Sequence, residues 1–149
     1  MKSKLRSAFT LVEVLIVVVI MAILAATIIP QFTDSATDAK IGTAKFNLST
    51  LRSQIETYKI HHGGLKPGNT LVELTQSTNA AGTAGTGAGY PYGPYMREIP
   101  VNPITNSSAV KVISNNPPQA SDVTSGGGGW LYHPGSGNVW LDDATLYSE

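Results

Sequence analysis

Hydrophobic and polar positions divide the 149-residue chain into three stretches. In the first, every residue from Val14 to Ala26 is apolar, and between Leu11 and Ile29 the only polar side chains are Glu13 and Thr27. As a helix, Leu11–Ile29 would span ~29 Å, close to the hydrocarbon thickness of a bilayer. In the second stretch Ile41, Ala44, Leu48, Leu51, Ile55 and Tyr58 recur at alternating threes and fours, which marks one apolar helix face. Lys40, Lys45, Asn47, Ser49, Arg52, Gln54, Glu56 and Lys59 lie between them, with Arg52 and Glu56 spaced as a helix-supporting pair. Gly63-Gly64 predicts the helix end. Together these predict one helix from Phe9 to about Ile60. Pro30 removes a backbone hydrogen bond inside it and is expected to bend it or allow local melting.

The third stretch, 61–149, is punctuated by glycine and proline. Leu71–Leu74 reads as a short helical turn and 77–94 (STNAAGTAGTGAGYPYGP) as a low-complexity loop. Strand candidates are Ala109–Ile113, Gly129–Tyr132 and Val139–Leu141, the last two joined by HPGSGN, which has the chemistry of a hairpin turn. The predicted fold class is α+β, a long N-terminal helix on a small antiparallel sheet. Trp130 and Tyr132 are expected to alternate onto the face that meets the helix.

Residues 1–8, MKSKLRSA, carry Lys2, Lys4 and Arg6 and no acid. A basic head before an apolar run predicts a cytoplasmic head and an exported remainder. A cleavable secretory signal would have a shorter apolar core and a small-residue cleavage site after it, and Ile28-Ile29-Pro30 does not offer one. A buried core helix is rarely apolar on all faces in a small domain. A plain membrane anchor fits hydropathy but leaves Glu13 unexplained. A carboxylate in a spanning helix is costly and needs a partner.

The basic leader, a small residue and then FTLVEVLIVVVIMAILAATIIPQF resemble the class III signal of type IV pilins and type II secretion pseudopilins. The resemblance implies cleavage between Ala8 and Phe9 by a prepilin peptidase and N-methylation of the new Phe9 amine. It gives Glu13 the family's glutamate position and Pro30 that of its helix-bending proline. Ala8 departs from the glycine the family usually carries. The implied organisation is a leader at 1–8, a transmembrane and polymerisation helix at 9–32, and a soluble head at 33–149 that includes the amphipathic half of the helix. GPYMREIPVNP and GGGGWLYHPGSGNVWLDD are similar to C-terminal regions of major pseudopilins.

Charge explains what such a glutamate could do. Cleavage would create an ammonium at Phe9, and Glu13 of a displaced subunit could accept it. Each group alone is costly in an apolar filament core, and removing one partner strands the other. Glu13 would then set register, as a single polar residue does in a coiled coil.

Composition narrows the remaining chemistry. The chain has no cysteine, which excludes disulfides, thiolate metal sites, a cysteine nucleophile and the disulfide-bounded loop of many adhesive pilins. Charged residues are only 13%, the formal net charge is zero, and losing the leader would leave the rest acidic, which argues against nucleic-acid binding. The glycine loop has no Lys-Ser/Thr after it and no strand before it, so it is not a phosphate loop. His61 and His62 are adjacent and point apart on a helix, a poor metal pair. No catalytic grouping is evident, and the expectation is a structural protein rather than an enzyme. No cofactor is assigned. Major pseudopilins bind calcium through C-terminal loops, and Asp122, Asp142 and Asp143 could contribute, but no ligand set matches residue by residue. Tyr90, Tyr92, Tyr95, Trp130, Tyr132 and Trp140 could stack on sugars, with core packing the preferred reading. Asn47 and Asn106 head chance glycan-acceptor patterns.

The reading is a filament subunit, a pseudopilin placed ahead of an adhesion or motility pilin. The resemblance implies as partners further copies of the chain, the prepilin peptidase, and a platform protein with a separate assembly ATPase. It implies a single pass of the inner membrane with a periplasmic head, then a periplasmic or extracellular filament. The competing reading is an unpolymerised, membrane-anchored module that binds a glycan or a protein.

Overall fold

The computed structural model describes residues 9–124 and 128–149. Helix α1 spans Leu11–His61, and a 3-10 turn follows at Val72–Leu74. Strand β1 is Val110–Val112, a second 3-10 turn is Ala120–Asp122, and strands β2 and β3 are Trp130–His133 and Asn138–Leu141. The chain divides into two compact units, Met1–Ala39 and Lys40–Glu149, and α1 contributes to both.

Both ends of α1 have identifiable stops. At the start Thr10 and Glu13 form a reciprocal cap, described below. At the end Gly63 and Gly64 adopt φ of 61° and 93°, and the Gly64 amide donates to the Lys59 carbonyl at 2.7 Å. This is the six-to-one closure of a left-handed helix cap, and it favours glycine because a Cβ there is strained. Pro30 lies inside α1.

In the unit from Lys40 onward, the predicted face packs as the periodicity requires. Ala44, Leu48, Leu51, Ile55 and Tyr58 are buried together with Leu71, Leu74, Trp130, Tyr132, Val139 and Leu141. A side chain of Leu or Ile size contributes roughly 1.5–3 kcal/mol on full burial, so this cluster is the main source of stability in the unit. Successive residues of a strand face opposite sides. Trp130 and Tyr132 of β2 and Val139 and Leu141 of β3 therefore share the helix side. Leu131 and Trp140 share the other, where they meet Ile113 under Val123 and Tyr147. The register pairs Trp130 with Leu141, Leu131 with Trp140, and Tyr132 with Val139, which keeps each set on one face.

Two expectations are corrected. The sheet is mixed, not antiparallel. Strands β2 and β3 form the predicted hairpin, but β1 pairs parallel to β2, with Val110 opposite Trp130 and Val112 opposite Tyr132. A parallel pair needs a crossover of a dozen or more residues, and the connection from Ile113 to Gly129 is long enough to return the chain to the same end. The predicted Arg52–Glu56 pair does not form. Glu56 bonds Lys59 at 2.7 Å, while Arg52 donates from Nε to the Val139 carbonyl at 3.1 Å and from Nη2 to the Glu149 carbonyl at 2.6 Å. The backbone oxygens of Val139 and Glu149 lie within reach of its planar fork and outcompete an exposed helix pair.

The segment PYMREIPVNP lies outside the sheet and is pinned by side chains. Buried Asn102 donates to the Gly129 carbonyl at 3.0 Å and accepts from the Ile104 amide at 3.0 Å. The Trp130 indole donates to the Pro100 carbonyl at 2.8 Å.

Candidate functional site

The apolar run is solvent-exposed along its whole length in the single chain. Phe9 is 86% exposed, and Leu11, Val12 and every large apolar residue from Val14 to Leu24 are exposed as well. None of the most apolar stretch of α1 is buried. A contiguous apolar surface of this size is not tolerated in water, so it must meet lipid or other protein.

Its two polar side chains are both satisfied by the helix that carries them. The Thr27 hydroxyl donates to the Leu24 carbonyl at 2.9 Å. Glu13 sits in the first turn, where its Oε2 accepts from the Thr10 backbone N–H and from the Thr10 hydroxyl, each at 2.8 Å. The Thr10 hydroxyl oxygen in turn accepts from the Glu13 amide at 3.2 Å. This is a capping box, Thr-x-x-Glu, which satisfies otherwise orphaned backbone donors and places a carboxylate at the positive end of the helix dipole. The pattern Thr10–Glu13 was legible in the sequence, but attention to Glu13 as an intersubunit partner left Thr10 without a role. Phe9 precedes the helix and Ala8 lies outside the described residues, as does the rest of the leader.

Of the three candidate calcium carboxylates, Asp142 and Asp143 line one cleft and Asp122 does not. Asp122 caps its own loop: its Oδ2 accepts from the Gln119 amide at 2.8 Å, and Asn115 Nδ2 donates to its Oδ2 and Oδ1 at 2.9 and 3.1 Å. These bonds, with the Gln119 amide foremost, hold its carboxyl below the ordinary value, helped by the Lys111 ammonium. Asp143 accepts from the amide and hydroxyl of Thr145 at 2.9 and 2.7 Å. Asp142 is 1% exposed, and its Oδ1 accepts from the Thr124 amide at 2.7 Å. Its Oδ2 and the buried Thr105 hydroxyl find no partner among the described residues, and both residues line one cleft with Ala120, Val123 and Thr124. A Cβ on Gly128 would run into the Asp142 carboxylate. The donors are all oxygen, which suits a hard cation, although the described residues hold no cluster of three carboxylates or histidines.

The aromatic residues follow the packing reading. Trp130 and Tyr132 are wholly buried and Trp140 is 8% exposed. The Tyr132 hydroxyl donates to the Pro67 carbonyl at 2.9 Å, and burial pushes it far up from its ordinary value. Tyr90, Tyr92 and Tyr95 are half-buried.

Residues 3–29 match the family model described as the prokaryotic N-terminal methylation motif. The chain is 37% identical over 60 residues to the type II secretion system core protein G of Pseudomonas aeruginosa, which covers 40% of this chain and 42% of that protein. It is 32% identical over 78 residues to a fimbrial protein of Neisseria meningitidis, covering 52% of this chain and 46% of the relative. It is 31% identical over 78 residues to the type IV major pilin protein PilE of Neisseria gonorrhoeae, covering 52% of this chain and 47% of the relative. The chain therefore spans less than half the length of these curated relatives. No solved structure matches it. The exposed apolar helix that begins at the Thr10–Glu13 cap thus carries a prokaryotic N-terminal methylation motif, and the chain is related in sequence to a type II secretion core protein and to type IV pilins.

Proposed function

We propose that this protein is the structural subunit of a pilus-like filament. In this reading a prepilin peptidase cuts between Ala8 and Phe9 and the Phe9 amine is methylated. The subunit waits in the inner membrane with residues 9–32 spanning and 33–149 in the periplasm. A platform protein and a separate ATPase then assist polymerisation through residues 9–32. The observation that carries the reading is the apolar first part of α1, exposed on all sides within the matched motif and bearing one carboxylate at its first turn.

The cap refines the role of Glu13. In the unassembled subunit its charge rests on Thr10, which lowers the cost of holding it at the membrane edge. In the filament the ammonium of a neighbouring Phe9 would add an opposite charge to a carboxylate already oriented by the helix. The pair would neutralise both groups where no water reaches them, and loss of one would leave the other uncompensated, worth several kcal/mol.

The relatedness to a core secretion protein and the lack of cysteine favour a type II secretion pseudopilus over an adhesion or motility pilus. A hard cation such as calcium would be held by Asp142 Oδ2 and the Thr105 hydroxyl, where it would supply charge compensation and tie the end of β3 to the adjacent loops.

Replacing Glu13 by Leu tests the function. The precursor inserts as before, since an apolar residue lowers the insertion cost, while filament yield in sheared or secreted fractions collapses. Normal filament yield from that variant would leave the unpolymerised anchored module as the better reading.

A further inference from the structure

From Lys40 onward, α1 buries one face, Ala44, Leu48, Leu51, Ile55 and Tyr58, against the rest of its unit. At about 3.6 residues per turn, Gly42, Phe46, Ser49, Ser53, Thr57 and Ile60 fall on the opposite face. The outer face of a surface helix ordinarily carries its charges. This one carries none. Phe46 and Ile60 are 70% and 77% exposed, and stand ~21 Å apart along the helix. Gly42, Ser49 and Ser53 are exposed with them, and the space that a Gly42 side chain would enter is open.

Polar groups beside this face are engaged within the subunit. Lys45 pairs with Glu149, Arg52 holds the Val139 and Glu149 backbone oxygens, and Glu56 holds Lys59. The Thr57 hydroxyl donates to the Ser53 carbonyl at 2.9 Å, and that of neighbouring Thr50 to the Phe46 carbonyl at 3.0 Å. Thr27 uses the same device inside the apolar run, where its hydroxyl returns to the Leu24 carbonyl. A hydroxyl bonded back to its own helix leaves no donor that needs water. A helix that is apolar or neutral on both faces is one covered on both.

We propose that the Phe46–Ile60 face is a second polymerisation surface, covered in the filament by α1 of another copy of this chain. The proposal rests on the filament reading and extends it beyond residues 9–32. Lipid is a poor occupant, because Leu11–Ile29 by itself matches the hydrocarbon thickness at ~29 Å. A second copy is the occupant because the face lies further along the same helix through which the copies associate. In a helical assembly the contact is heterologous, so each copy offers one stretch of the face to a different stretch of its neighbour. Phe46 supplies the large apolar anchor, and Gly42, Ser49 and Ser53 leave the hollows into which a neighbour's side chains fit. The small residues let two helix backbones approach closely, and the absence of charge between Phe46 and Ile60 along the face spares the contact a desolvation cost.

The test uses the full-length chain, which has no cysteine of its own. Ser53→Cys places one thiol in the middle of the face, and a maleimide probe reads its access in membranes before assembly and in isolated filaments. The thiol should label before assembly and be protected in filaments. Equal labelling in both would overturn the proposal while leaving the filament reading in place. Protection already present before assembly would assign the face to lipid or to another protein, and would overturn it too. Phe46→Lys should lose filaments with the melting temperature of the subunit unchanged, because the side chain it replaces is exposed, and Phe46→Leu should retain them. Wild-type filament yield from Phe46→Lys would remove Phe46 as the anchor. Failure of the filament reading itself is distinguishable, since the unsubstituted chain would then form no filaments.

Discussion

Thr10 and Glu13 close on each other at the start of α1, with the Thr10 amide and hydroxyl both donating to one carboxylate oxygen at 2.8 Å. The carboxylate that motif reasoning assigns to a neighbouring subunit is thus already held within its own chain. Thr10→Ala removes the hydroxyl from both sides of the box and should weaken the first turn by about 0.5–2 kcal/mol, whereas Thr10→Ser should retain most of it. Amide hydrogen exchange at the first turn in micelles reads this directly. Equal protection in the alanine variant would show that the cap contributes nothing there.

Arg52 ties α1 to the open edge of β3 through the Val139 carbonyl and to Glu149. Beside it, Lys45 pairs with the Glu149 carboxylate at 2.6 Å. Arg52→Ala leaves the Val139 carbonyl without this donor and should lower stability by roughly 1–3 kcal/mol in denaturant melts. Arg52→Lys should recover only part, since an ammonium cannot span both carbonyls. Lys45→Ala, which removes only a half-exposed pair, should change little.

Asp122 gives the head a pH dependence of known sign. Its folded value lies below the ordinary 3.8, so its contribution is fully present above 3.8 and is lost as pH falls through the folded value. Wild type should therefore exceed Asp122→Asn in melting temperature near neutrality, and the gap should shrink progressively below pH 3.8. A gap that stays constant under acid would mean that the Gln119 and Asn115 bonds do not distinguish the carboxylate from its amide.

Calcium should raise the melting temperature of the wild-type chain in a concentration-dependent way, as binding to the native state alone requires. Asp142→Asn should abolish that increment, and Asp122→Asn should preserve it because Asp122 lies outside the cleft. An equal increment in wild type and Asp142→Asn would remove Asp142 as a ligand.

Much of the architecture could be read from patterning because it depends on neighbours in the chain. The alternating threes and fours from Ile41 to Tyr58 marked a face that is in fact buried from Ala44 to Tyr58. Gly63-Gly64 marked the helix end, and HPGSGN joined strands that do pair as a hairpin. The apolar run, its length and the position of Glu13 carried the filament reading. The direction of β1 was missed because strand candidates alone do not reveal orientation, although the length of the connection to β2 bore on it. Arg52 was misassigned because helical spacing shows only which side chains of one helix are close. The carbonyls it binds belong to residues far along the chain.

The sequence alone determined the long helix, its apolar and amphipathic halves and the motif around Phe9 and Glu13, since each is a matter of periodicity and charge over short separations. Tertiary structure decided the parallel pairing of β1, the burial of Asp142 in the cleft that Thr105 also lines, and the burial of His62 against the Thr78 hydroxyl. Those depend on which distant segments are brought within about 3 Å of one another, and hydrogen-bond geometry at that range has no periodic trace in the sequence.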